Sequence, residues 1–318
     1  MRGPFVAAKF PAAIMLVAAT LAAVMPAVGV VARVPRSELL EFIMQRCFSS
    51  ALVCSLLLLS VGCGTISFGP QFSAQQTEQF VAPVPAGQLI VEGRNGSIKL
   101  RSGAVEELQF EAVIQAKGSS QEEAEANLEL VSIKQREEDG NLLVSVEGLR
   151  QVSGSVSFVI VVPKSTPVEL RTSNGGIEVT DLQANMRLRS SNGKIVVQRA
   201  EGDVNVETSN GAIDVESVVP ITVWASTSNG SVTFKGGLVG DDNRLESSNG
   251  SLKLTLWGPQ TKLSAQTSNG QVTINGEKQS KSVTTTVGQG DLMPAAISLK
   301  TSNGKITVDT IEDQAETR

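Results

Sequence analysis

The tetrapeptide Ser/Thr-Ser-Asn-Gly occurs seven times in the second half of this chain, with its asparagine at Asn174, Asn192, Asn210, Asn229, Asn249, Asn269 and Asn303. The first five intervals are 18, 18, 19, 20 and 20 residues. The sixth is 34, and Gln289-Gly290 falls inside it where a degenerate copy belongs. A fixed period near 20 residues marks a stack of equivalent supersecondary units. Apolar residues alternate on both sides of each asparagine: Val204, Val206 and Thr208 precede Asn210, and Ile213 and Val215 follow it. The other copies repeat this, except that Asn243 stands where the Asn249 copy needs an apolar residue. Period-2 alternation is the strand signal. Each copy reads as two short strands meeting at Asn-Gly, then a looser turn.

Asn-Gly between alternating strands is also the strongest hairpin signal, so an antiparallel meander is the first rival. Three features favour coiling: the copies are direct repeats, a small hydroxyl always precedes the corner, and the same Asn returns on the inward side of the alternation. Coiling stacks these residues at roughly 4.8 Å per rung, where Asn can form amide ladders. The expected fold is all-β, a single-stranded β-solenoid of 18–20-residue coils behind a β-rich lead-in with one short helix. On this reading the corners adopt positive φ, which Gly and Asn tolerate. Asn303 then sits near the last rung with at most one neighbour.

The N-terminal part sets an expected location. Residues 44–62 have a short basic start, the apolar run Ala51–Leu59, and Leu59-Ser60-Val61-Gly62 before Cys63. That is a secretory signal ending in a sequence similar to the bacterial lipobox, with Cys63 as the lipidated mature N-terminus. A plain signal anchor is the alternative. Residues 1–43 hold a second apolar stretch, Ala12–Ala32, read as an over-extended start or an extra leader. Its length is near the ~20 residues of a membrane span. Cys47 and Cys54 leave with the signal, so no disulfide is expected. Of 27 basic and 32 acidic residues, 1–62 hold five and two, leaving 22 against 30. A net charge of −8 without a basic stripe argues against nucleic acid.

The remaining divisions are a polar tether at 63–80, a lead-in or cap at 81–166, repeats at 167–310 and a charged tail at 311–318. The lead-in contains one further corner at Asn95-Gly96, strands near Leu108–Ala116, Leu142–Val146 and Val156–Val162, and a helix from about Ser120 to Leu130. Ser120 and Glu123 form a capping-box pattern at its start. The helix, Gly140-Asn141-Leu142, Val161-Val162-Pro163-Lys164, Val168-Glu169-Leu170 and the Thr-Ser-Asn-Gly-x-Ile-x-Val repeats together resemble a bacterial putative-adhesin family of unknown function, over roughly 80–310. The resemblance implies a secreted or membrane-attached β-repeat domain and no known reaction or ligand.

Chemistry is sparse. The chain has no His and no Tyr, which removes Ser-His-Asp catalysis and His metal sites. Gly288-Gln289-Gly290 lacks the strand–helix context of a nucleotide loop. Gly240-Asp241-Asp242-Asn243 lacks the spaced oxygens of a calcium loop and reads as a solvated turn. Glu178 and Asp214 face outward two rungs apart, roughly 9.6 Å, near the upper limit for an inverting glycosidase. No aromatic cleft flanks them.

A binding surface fits better. Arg171, Arg187 and Arg189 face outward on adjoining rungs beside Glu169 and Glu207, and Trp224 shares the outward column next to Arg244. An exposed Trp on a flat sheet can stack on a sugar or anchor a protein; the alternative is that a turn covers it. Trp257, beside Gly258-Pro259, reads as local packing. The expectation is a non-catalytic, lipid-anchored adhesion or scaffold module of the cell envelope, with no metal and no cofactor. Gly64 after Cys63 favours the outer membrane, and an envelope glycan or protein is the expected partner. A self-assembling structural β-helix and a polysaccharide-cleaving enzyme are the alternatives.

Overall fold

In every repeat the strand before Asn-Gly and the strand after it enter different sheets. The computed structural model describes residues 71–258, 260–288 and 295–311. Cys63, both leaders, Gln289-Gly290 and residues 312–318 lie outside the described residues. β8 (Val168–Thr172) belongs to an 11-stranded sheet and β9 (Ile177–Thr180) to a 12-stranded one. β8 pairs in parallel with β10 (Met186–Ser190), and β9 with β11 (Ile195–Ala200). The same parallel pairing continues through β12 (Val204–Thr208) and β13 (Ile213–Ser217), then β14 (Val223–Thr227) and β15 (Val232–Gly236), to β16 (Asn243–Ser247) and β17 (Leu252–Leu256). The protein is all-β with long parallel sheets, and the repeats are not a hairpin meander.

The corners correct the backbone expectation. None of the seven repeat asparagines has positive φ, and neither do their glycines. A two-residue type I′ hairpin turn, the one Asn-Gly favours, needs positive φ at both, and one Asn-Gly provides it: Asn275 (φ 49°) and Gly276 (φ 83°) join β19 (Val272–Ile274) to β20 (Glu277–Gln279) as an antiparallel pair. In the repeats glycine is required for space instead. A Cβ on Gly193 would lie 1.8 Å from the carbonyl oxygen of Gly175, and one on Gly250 the same distance from Gly230.

Inward residues stack in register. Val168, Met186, Val204 and Val223 form one buried file, and Ile177, Ile195, Ile213 and Val232 another. Phe234, the one aromatic of the repeat core, shares its rung with Ala225, so a large residue accompanies a small one.

Rung order departs from chain order at both ends. β2 (Leu89–Glu92) and β3 (Ile98–Ser102) come first, yet sit one rung inside β6 (Asn141–Glu147) and β7 (Gly154–Val162). At the other end β22 (Ala295–Thr301) and β23 (Ile306–Thr310) slot between β16/β17 and β18 (Thr261–Thr267)/β19. Asn303 is therefore an interior rung and Asn269 the terminal one. The stack begins inside the lead-in, so residue 167 is not a structural boundary.

Antiparallel strands close both ends. β21 (Ser282–Val287) covers β18, and β5 (Ser132–Glu138) covers β6. β4 (Leu108–Gly118) covers β7, and β1 (Phe72–Ala82) lies outside β4. β1 corrects the tether: residues 72–80 are a paired strand, because Ala74 and Ala82 bury against the cap and Phe80 stacks on Phe110 at 4.6 Å. Helix α1 (Gln121–Glu129) also packs against β4 and β1. Its N-cap Ser120 accepts from the Glu123 amide at 3.1 Å, while the Glu123 carboxylate reaches the Ser119 amide at 2.7 Å. Hydrogen bonds to its carboxylate, first from the Ser119 hydroxyl and then from the Ser119 amide, lower the Glu123 pKa. No helix among the described residues is long and apolar enough to cross a membrane.

Candidate functional site

Two polar files run down the corner. In the outer file each Asn Nδ2 donates to the Oδ1 of the asparagine on the next rung. The order is Asn269, Asn303, Asn249, Asn229, Asn210, Asn192, Asn174, Asn95, with every bond at 2.8–2.9 Å. Asn95 ends it by donating to the Gly154 carbonyl at 3.2 Å. The inner file explains the hydroxyl two places before each asparagine. Thr172, Ser190, Thr208, Thr227, Ser247, Thr301 and Thr267 each donate to a glycine carbonyl one rung away, at 2.9–3.1 Å. The hydroxyls are buried, but all seven asparagines are exposed. The inward, dry placement expected for them is thus corrected. The corner is a wet amide ladder, and it is structural.

The outer face of the 11-stranded sheet carries the surface residues. Strand register places Arg187, Asn205, Trp224 and Arg244 in one file on four successive rungs. Beside it run Arg171, Arg189, Glu207, Ser226 and Glu246. The five residues singled out from sequence therefore share one face. Arg171 is clamped: its Nε and Nη2 donate to Glu169 Oε1 at 3.0 and 2.7 Å, and its Nη1 to Glu92 Oε1 at 2.7 Å. Its hydrogen bonding to Glu169 is the main cause of its raised pKa, with burial opposing. Arg189 pairs with Glu207 at 3.4 Å and Arg244 with Glu246 at 2.5 Å. Arg187 has no ion-pair partner among the described residues.

Trp224 is half-buried. Its neighbour Asn205, which no sequence pattern singles out, has a buried Oδ1 with no hydrogen-bond partner. Buried polar atoms nearly always find one. A shallow groove of about 350 Å³ borders this face, lined by Glu92, Arg171, Arg189 and Glu207 and by the hydroxyls of Ser173, Ser191 and Ser209. Guanidinium, carboxylate and hydroxyl groups interleaved on a flat sheet can bond to ring hydroxyls, and Trp224 offers an apolar plane. Trp257 lies elsewhere: a Cβ on Gly237 would touch its ring at 3.0 Å, beside Pro220.

Glu178 and Asp214 face outward on the other sheet with Val196 between them in register. Lys99 stands 3.8 Å from Glu178, and Lys194 lies 2.6 Å from Asp214. Among the described residues no three His, Cys, Asp or Glu side chains converge on a metal-sized site.

No family model and no curated protein sequence matches the chain. Among solved structures it is similar to a putative cell adhesion protein from Clostridium sporogenes, at 16% identity over 75% of this chain and 100% of that one, TM-score 0.35. It is also similar to a putative adhesin from Bacteroides fragilis, at 13% identity over 74% and 97%, TM-score 0.36. A putative lipid binding protein from Parabacteroides distasonis matches at 11% identity over 74% and 96%, TM-score 0.24.

Proposed function

We propose that the chain is a non-catalytic β-solenoid of the bacterial cell envelope, held to the outer membrane by lipid on Cys63, that binds a glycan through the 11-stranded sheet. The observation that carries the binding role is the file Arg187–Asn205–Trp224–Arg244. It combines an unpaired cation, an orphaned amide oxygen and a half-buried indole on three adjacent rungs. The alternation of strands between two parallel sheets supports the solenoid reading, with one coil per 18–20-residue period.

Glycan-array binding of the full chain tests the role. Trp224→Ala should weaken binding about tenfold, ~1.4 kcal/mol for the lost stacking plane. Thr233→Ala, on the opposite sheet, should leave it unchanged. Equal binding by wild type and Trp224→Ala would remove this surface from consideration. The anchor has its own test: intact-mass analysis should find a diacylated species beginning at Cys63, and Cys63→Ser should remain an uncleaved precursor. An unmodified N-terminus elsewhere would sink the lipoprotein reading and leave the binding surface standing.

A further inference from the structure

The four strands at the ends of the two sheets differ in how they protect their open edges. β20 has three residues, with Glu277 and Lys278 among them, and β21 has six. β5 carries Lys134, Arg136, Glu137 and Glu138 in seven residues. Short length and charge both discourage another strand from pairing. β1 uses neither device. It runs for eleven residues, pairs with β4 without a register shift, and contains no Pro, Lys or Arg and a single carboxylate, Glu78. It is the last strand of the 12-stranded sheet, so one row of its backbone groups has no partner strand among the described residues.

We propose that β1 is a homodimerisation edge, on which a second copy of this chain lays its own β1 antiparallel about a two-fold axis through Thr77. The sequence of β1, Phe-Ser-Ala-Gln-Gln-Thr-Glu-Gln-Phe-Val-Ala, is complementary to itself in that register. On one face Phe72 meets Ala82 and Phe80 meets Ala74, large against small, and Glu78 meets the amide of Gln76. On the other face Ser73 meets Val81, Gln75 meets Gln79, and Thr77 meets its own copy. Cross-strand Thr–Thr and amide pairs of this kind stabilise antiparallel sheets, and no like charges oppose each other.

The contact is isologous, so it closes at two copies. Head-to-tail growth would have to use the short β20 and β21 edges, which argues against a filament. The inference rests on strand pairing alone and is independent of the binding role. If both hold, the dimer presents two Trp224 faces and gains avidity on a repetitive ligand.

Sedimentation equilibrium of the detergent-solubilised full chain, in a density-matched buffer, reads the outcome. Wild type should sediment at twice the protomer mass. Thr77→Lys and Thr77→Glu should each raise the dimer dissociation constant at least tenfold by placing like charges across the axis. An equimolar mixture of the two should restore the dimer, which a merely destabilising substitution would not do. Should Thr77→Lys fail to fold, the double variant Gln75→Lys/Gln79→Lys, whose lysines face one another across the axis from exposed positions, takes its place against Gln75→Glu/Gln79→Glu. A monomeric wild type, a concentration-dependent polymer, or a dimer indifferent to both charge variants would each overturn the proposal.

Discussion

Asn210 gives one side-chain hydrogen bond to Asn192 and receives one from Asn229, both at 2.8 Å. Because the ladder is exposed, water can replace either partner, and each bond is worth about 0.5–1 kcal/mol net. Asn303 makes the same two bonds, to Asn249 and from Asn269. Asn269 ends the file and only donates. Denaturant midpoints should therefore show Asn303→Ala losing as much as Asn210→Ala, about 1–2 kcal/mol, and Asn269→Ala about half that. The linear sequence implies the opposite order for Asn303 and Asn269, since Asn303 comes last in the chain. A loss for Asn303→Ala as small as that for Asn269→Ala would contradict the interior placement. The stacking itself was legible, because direct repeats that bring the same amide back to the same side favour a ladder over a meander. Its exposure was not, since alternation shows which side chains share a side and not where a corner turns away from the core.

Asn243 shows how an element can break its pattern to hold the stack together. It is 2% exposed, and both ends of its side-chain amide are hydrogen-bonded. Nδ2 contacts the carbonyls of Val239, Gly240 and Ala296 at 3.0 Å each, and Oδ1 accepts from the Val223 amide at 2.9 Å. It thereby joins β16 to its leading turn, to β14 and to β22, at the rung where chain order jumps. Asn243→Leu restores the apolar alternation but strands the buried Val223 amide and frees the carbonyls of the leading turn to water, so a midpoint loss of about 1–3 kcal/mol is expected. A neutral or stabilised variant would show that the pattern matters more than the junction. Strands carrying inward Val, Ile and Leu were readable from sequence, as was the file of outward residues once the period was aligned. β1 was not: an outermost cap strand meets few apolar partners, so Gln75-Gln76-Thr77-Glu78-Gln79 shows no inward stripe of large residues. Asn205 was missed for a related reason, because its orphaned oxygen depends on the side chains of neighbouring rungs.

At the scale of the molecule, each end of the stack is built out of chain order, and this makes β22 and β23 interior strands although they come last among the described residues. β22 and β23 separate β16/β17 from β18/β19, with parallel partners on both sides. A chain cut after residue 294 loses the large buried side chains Ile297, Leu299, Ile306 and Val308, each worth about 1.5–3 kcal/mol. It also leaves β18 and β19 without the parallel strands that hold them. Hydrogen exchange should then show amides of 261–287 unprotected, while those of 168–227 keep their protection. Excising 260–290 instead removes the terminal rung and its cap but leaves a short connection from β17 to β22. That variant should retain protection through 295–310 and unfold at a higher denaturant concentration than the truncated chain, although it lacks more residues. If chain order were rung order, the truncated form would keep 261–287 folded and would be the milder of the two. Protection of 261–287 in the truncated chain would therefore overturn the inserted-rung arrangement, and with it the interior position of Asn303.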